Sequence, residues 1–288
     1  MNRGLRILPL LIATAFAAVP LLIAAPTPAS ADHAWGSYHW AQTSNPLTLQ
    51  VGDNVSGAWD AYLDEAIEDW SESSILDLTK VTGNSNPKNC RATAGRIEAC
   101  NSKYGNNGWL GIAQIWISGG HIIQATTKVN DTYFNTATYN TQAWRRLVMC
   151  QEIAHDFGLD HQDENFNNAN LGSCMDYTND PDGGAGGASS NDLSNEHPDS
   201  HDLEQLVAIY GHTHSTATTG STPAPGRSGT AADEGPNNLA ELGRPTGRKD
   251  GYGRDIHFEK NLPDGRKIIT HVFWALPGLG GPPASGRP

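Results

Sequence analysis

The clearest pattern along the chain is a change of period. Leu47, Leu49 and Val51 alternate with polar residues, which predicts a strand over Pro46 to Val51. From Ala58 to Ser71 the spacing lengthens: Trp59, Tyr62, Leu63, Ala66, Ile67 and Trp70 recur at helical intervals. Leu76 to Val81 alternates again. Gly111 to Ile117 and His121 to Val129 read as two strands parted by Ser118-Gly119-Gly120. A second helix is expected over Ala143 to Phe157, with Trp144, Leu147, Val148, Ala154 and Phe157 on its apolar side. Residues 162–198, dense in Asn, Asp, Gly and Ser, read as loop. A third helix is expected over His201 to Tyr210, capped by Asp199 or Ser200 and stopped at Gly211. The sum is an α/β chain with few helices and a small mixed sheet.

The pattern fails at both ends. Ile7 to Ala25 is almost wholly apolar, follows Arg3 and Arg6, and is succeeded by Ala29-Ser30-Ala31. That is the layout of a signal peptide occupying residues 1–31 and cut after Ala31, with an uncleaved anchor as the alternative. Residues 32–212 carry apolar segments throughout and are expected to form one globular domain. Residues 213–251 are rich in Thr, Gly, Pro and charge and read as a linker. Residues 252–288 hold two strand-like runs, Arg254 to Lys260 and Arg266 to Trp274, around Leu262-Pro263-Asp264-Gly265, which predicts a terminal hairpin. A lone hairpin is marginal in water, so it is expected to dock or to stay poorly ordered.

Export places the four cysteines in an oxidising compartment. Three pairings are possible, and the short loop between Cys90 and Cys100 favours that bridge together with Cys150–Cys174. The net charge of −12, more negative once Arg3 and Arg6 are removed, argues against nucleic acid and anionic membranes as partners. A secreted, extracellular monomer with no membrane contact after cleavage is expected.

The chemistry concentrates in Gln151-Glu152-Ile153-Ala154-His155-Asp156-Phe157-Gly158-Leu159-Asp160-His161. His155 lies on the second helix. Gly158 can turn the chain sharply, which lets His161 swing back towards His155 as part of a zinc site. Gln151 lies one turn before His155 on the same helix face.

This run resembles the metzincin signature His-Glu-x-x-His-x-x-Gly-x-x-His, of the matrixin and astacin type, with Gln151 in place of the first histidine. Ser173-Cys174-Met175-Asp176-Tyr177 is similar to the methionine-containing turn of that family, and Asp202 to Gly211 to the final helix of matrixins. The likeness covers about residues 36–212. It implies a small mixed twisted sheet with an active-site helix, a turn at Met175 and a C-terminal helix. It further implies a secreted zinc metalloendopeptidase: Gln151, His155 and His161 on Zn2+, Glu152 as general base on a zinc-activated water, and Tyr177 beside the metal. A protein or peptide substrate would lie extended along the edge strand Gly111–Ile117. A Cys150–Cys174 bridge would then clamp the active-site helix to the turn.

Glutamine in a histidine position leaves a second possibility, a catalytically impaired metzincin-fold module that binds or scaffolds. Against it, the amide oxygen of Gln151 is as many bonds from Cα as the far nitrogen of an imidazole, and it is likewise neutral. Calcium is a further expectation for Asp160 to Asn170, whose side chains offer oxygen ligands without the spacing of a known calcium loop. His33, His39, His121, His197, His201, His212, His214, His257 and His271 are scattered, with no role that the sequence assigns.

Overall fold

The computed structural model describes residues 32–184, 192–220 and 239–279, together with Met1. The expected signal segment, from residue 2 on, lies outside the described residues. Among the described residues no helix is long and apolar enough to cross a membrane.

The chain builds a mixed sheet with helices packed on it. The elements run β1 (His39–Trp40), β2 (Leu47–Asn54), α1 (Asp60–Trp70), β3 (Leu76–Thr82), β4 (Ile97–Ser102), β5 (Trp109–Ser118), β6 (His121–Asn130), α2 (Asp131–Phe134), α3 (Gln142–His155), α4 (Ser200–Tyr210), β7 (Arg244–Pro245), β8 (His257–Asn261) and β9 (Lys267–Trp274). The sheet order is β3-β2-β4-β6-β5-β9-β8-β7, with β1 beside β6. Pairs on the β2 side are parallel, and β5 runs antiparallel to both β6 and β9. The α/β expectation agrees with this architecture.

The periodicities act as physical chemistry requires. In β2 the side chains of Leu47, Leu49 and Val51 are buried while Thr48 and Gln50 face water. Helix α1 buries Leu63, Ala66, Ile67 and Trp70. Helix α4 starts in a reciprocal capping box: the Asp199 side chain accepts from Asp202 N, and the Asp202 carboxylate accepts from Asp199 N. Strand β4 carries no alternation to detect, because Ile97, Glu98, Ala99 and Cys100 are all buried between β2 and β6.

Two expectations change. First, residues 213–251 are not one linker. Residues 221–238 lie outside the described residues, but His214 N donates to Gln42 O at 2.6 Å and Thr218 N to Ala41 O at 2.9 Å. Leu242 is buried, and Arg244–Pro245 pairs with β8. Such a stretch cannot form a core, yet its backbone groups find partners on the domain surface. Second, the C-terminal hairpin takes the docked one of its two expected outcomes, and it docks as part of the main sheet and not as a separate appendage. Strand β9 pairs with β5 from Trp109↔Trp274 to Ile117↔Lys267, and Ile268, Val272, Phe273 and Trp274 are buried.

Both disulfides, Cys90–Cys100 and Cys150–Cys174, are present. The second joins α3 to the turn containing Met175.

Candidate metal centre

Helix α3 opens at Thr141, whose side chain accepts from Trp144 N, and then runs into the interior, burying nearly every residue. Gln151, Glu152 and His155 on its last turns are 0 % exposed. The helix stops at His155, and the chain reverses at Gly158, whose φ is +95°. A Cβ there would sit 2.4 Å from Tyr38 O, so the turn admits only glycine. After the turn Leu159 O accepts from His155 Nδ1 at 2.8 Å, and His161 is carried back until its Nε2 lies 3.1 Å from His155 Nε2. Trp35 stacks on His155, with ring centroids 4.9 Å apart. Below, Met175 is buried and its carbonyl accepts from Gln162 N at 2.8 Å, which fixes the strand-like exit of His161 against the methionine turn.

A third imidazole completes the cluster, and it comes from β9. His271 lies with its ring centroid 4.1 Å from that of His155 and 4.7 Å from that of His161. The ligand nitrogens of these three residues all fall within 4.8 Å of one another. The His271 Nδ1 and Glu152 Oε2 are hydrogen-bonded at 3.1 Å. His161 Nδ1 faces Glu164 Oε1 at 3.3 Å. The Nδ1 of each ring thus faces an oxygen, which leaves Nε2 as the nitrogen turned to the cluster. Three lone pairs converging in a buried space repel one another unless a cation stands between them. The His155–His161 nitrogen separation of 3.1 Å is close to the roughly 3.3 Å expected between tetrahedral nitrogens bound to one zinc ion. Three buried polar atoms here have no hydrogen-bond partner: His271 Nε2, Gln151 Oε1 and Glu152 Oε1. The donor set fits a divalent transition metal.

Electrostatics agree with that fit. Burial, joined by the neighbouring imidazoles, holds His155 and His161 well below the ordinary histidine range, and burial does the same to His257 and His271. All four are neutral, the form that ligates metal. Burial also drives the Glu152 carboxyl well above the usual carboxylate range, against a hydrogen bond from the Ala113 backbone.

The sequence-predicted residues are thus only partly assembled as expected. Glu152, His155 and His161 meet. Gln151 Nε2 donates to Cys174 O at 2.6 Å and its Oε1 has no hydrogen-bond partner, while a further imidazole, that of His271, lies beside His155 and His161. The Tyr177 hydroxyl is held by the terminal strand, accepting from Trp274 N at 2.8 Å and facing Val272 O at 3.4 Å, while its ring lies 4.9 Å from that of His161. Strand β5 offers no free edge, because β9 occupies the side on which a substrate was expected. The calcium expectation finds no support. Asp163 in that loop accepts from Asn165 N and Asn168 Nδ2, and Asp160 and Glu164 pair with Arg248.

Two site residues escaped the sequence, His271 and its cross-strand partner His257, whose Nε2 accepts from Trp35 Nε1 at 3.2 Å. A signal did exist: both lie equally far from Asp264 in the predicted turn, so hairpin register alone makes them neighbours.

No protein-family model and no curated protein matches the chain. Among solved structures it is similar to high choriolytic enzyme 1, a hatching-enzyme zinc protease from the medaka fish Oryzias latipes. The identity is 13 %, the TM-score 0.35, and the match covers 60 % of this chain and 94 % of that one. It is also similar to myroilysin, at 11 % identity and a TM-score of 0.32, over 60 % of this chain and 97 % of that one.

Proposed function

We propose that the chain is a secreted zinc-dependent peptidase whose own C-terminal hairpin fills the substrate groove. The observation that carries this is the convergence of the imidazoles of His155, His161 and His271, whose ligand nitrogens lie within 4.8 Å of one another, beside the carboxyl of Glu152. His155, His161 and His271 would hold the ion in the closed form, with the unpartnered Gln151 Oε1 on the same helix face as a further oxygen donor. Zinc bound there supplies a Lewis acid and a water of lowered pKa.

The chain's own groups supply the rest. Glu152 is the proton acceptor, and its Oε1 carries no other hydrogen bond. Strand β5 offers its backbone to an extended peptide, as it does now to β9. When β9 leaves, the Tyr177 hydroxyl loses Trp274 N and Val272 O and becomes free to donate at the reacting carbonyl. Removal of the hairpin also breaks the hydrogen bond that His271 makes to Glu152.

A second reading is favoured by one observation. Glu152, His155 and His271 are 0 % exposed and His161 is 2 % exposed. Structural zinc sites are closed, whereas catalytic ones keep a position open. In that case the centre is a permanent fastener of the hairpin in a module that binds rather than cleaves. The two are separated by zinc content and by cleavage of a denatured protein, measured on the full chain and on a chain ending at Gly220. The peptidase proposal expects an almost silent full chain, an active shortened chain, and no activity in the shortened Glu152→Ala control. A shortened chain that is folded and zinc-loaded yet as inert as its Glu152→Ala control assigns the site to the closed, structural kind.

A further inference from the structure

Far from α3 along the chain, four more histidines meet where β1, the start of β6 and the segment after α4 come together. His39 and His121 are neighbours in register across the parallel β1–β6 pair. His214 Nε2 lies 2.9 Å from His39 Nε2, and His212 Nε2 lies 3.3 Å from that same atom. The ring centroids of His121 and His214 are 4.5 Å apart. The ligand atoms of His39, His121 and His214 all lie within 4.8 Å of one another.

The tautomers decide what this cluster is. His39 Nδ1 faces Ser37 O, a pure acceptor, at 2.7 Å, so the proton is on Nδ1 and Nε2 carries a lone pair. That lone pair points at two other imidazole nitrogens. His121 Nδ1 is buried and has no hydrogen-bond partner. A hydrogen bond from His214 Nε2–H to His39 Nε2 would satisfy one contact and leave His121 Nδ1 without any.

We propose that His39, His121 and His214, with His212 beside them, form a second metal site, separate from the one on α3 and selective for a divalent first-row transition ion of the zinc type. All-imidazole donor sets suit zinc, copper and nickel and offer nothing to calcium or magnesium. His39, His121 and His214 are half-buried and His212 is exposed, so an ion reaches the cluster from solvent. Bound there, it would weld residues 212–214 to the β1–β6 edge. From that point the chain continues along the domain through the Thr218 N to Ala41 O and Gly220 N to Gly95 O hydrogen bonds, towards the linker and the hairpin.

The test is zinc titration into the chelator-treated full chain, with hydrogen exchange at His214, Thr218 and Gly220 read alongside. The wild type should bind one more equivalent than His39→Ala/His214→Ala, with affinity for that equivalent falling by more than about 100-fold in the variant, since even outer partners of metal ligands change affinity 10–100-fold. Zinc should slow exchange at the three amides in the wild type and leave it unchanged in the variant. His155→Ala/His161→Ala should lose only the other equivalent. Equal zinc stoichiometry in wild type and a folded His39→Ala/His214→Ala overturns the proposal. If that variant does not fold, the wild type alone decides: no zinc-dependent slowing at residues 214–220 overturns it equally.

Discussion

The hold of the terminal strand on the site can be weakened without touching the metal cluster, and Phe273 is the place to do it. Its ring is 1 % exposed, stacks on Tyr177 at 4.5 Å and meets Trp144 edge-on at 6.2 Å. Phe273→Ala removes a fully buried aromatic ring, which costs about 3–5 kcal/mol in well-packed surroundings. Most of that cost falls on the docked hairpin, because once β9 leaves β5 the ring packs against nothing. The population with β9 released should therefore rise by about 100-fold to several thousand-fold, at roughly 1.4 kcal/mol per factor of ten. Two measurements read it: amide exchange of β9 groups paired with β5, and cleavage of a quenched fluorescent peptide by the zinc-loaded chain. Under the proposed function both rise together by similar factors, and Phe273→Ala/Glu152→Ala shows the exchange without the cleavage. Exchange that rises by that factor while cleavage stays at the level of the Glu152→Ala control would refute the reasoning that β9 is what silences the site. Unchanged exchange would refute the assignment of the packing energy.

Other outcomes follow from single contacts. His271→Ala in the full chain should weaken zinc binding more than Gln151→Ala does, since both remove an unpartnered buried donor atom but imidazole nitrogen suits zinc better than a carbonyl oxygen; zinc affinity by competition with a chelator decides the order. Opening the Cys150–Cys174 bridge as Cys150→Ala/Cys174→Ala frees a loop of 24 residues and should lower stability by about 3 kcal/mol, read by urea denaturation. Gly158→Ala forces a strained φ and a contact with Tyr38 O, so it should lower the melting temperature and zinc content together, with backbone strain alone worth about 1–3 kcal/mol. Asp202 has its pKa raised to about 6, chiefly by burial, from an ordinary 3.8. A carboxyl with a raised folded-state pKa binds its proton more tightly when folded, so its contribution is full below about pH 4 and is lost as pH rises through 6. Urea denaturation of the metal-free chain should show that loss, about 3 kcal/mol between pH 4 and 7, and Asp202→Asn should remove it.

What could be read from the sequence divides along contact distance. Helices α1 and α4 and strands β2 and β3 are written in local periodicity, because each buries one face against its neighbours, whereas α3, β5, β6 and the hairpin strand β9, buried almost throughout, are legible from their apolar segments and the turn residues that bound them. The turn at Gly158 was visible for the same local reason. Strand β4 was not, since a strand buried on both faces loses alternation and its polar Glu98 and Asn101 read as loop. The pairing of β9 with β5 joins residues 150 to 165 positions apart, and nothing in either strand's own pattern names its partner. The same separation hid His271. The sequence motif puts the expected third donor at Gln151, one turn before His155, while the fold brings the imidazole of His271 beside His155 and His161 from a distant strand.

Under the proposed function that glutamine would couple two events that are independent in a site whose three imidazoles come from one segment. Here the α3 segment offers two imidazoles and an amide, and the third imidazole arrives only with β9. Under the proposed function zinc would bind the docked form more tightly than the released form, and by linkage it would stabilise docking by the same factor. A chain with histidine at position 151 would hold zinc without the hairpin, and its metal would no longer report on β9. Gln151→His should accordingly make zinc affinity insensitive to Phe273→Ala, whereas in the wild type Phe273→Ala should lower it. Equal sensitivity of the two backgrounds would break the link between the glutamine and the terminal strand. The metal cluster would then have to be regarded as tied to α3 alone, with His271 a neighbour rather than a ligand.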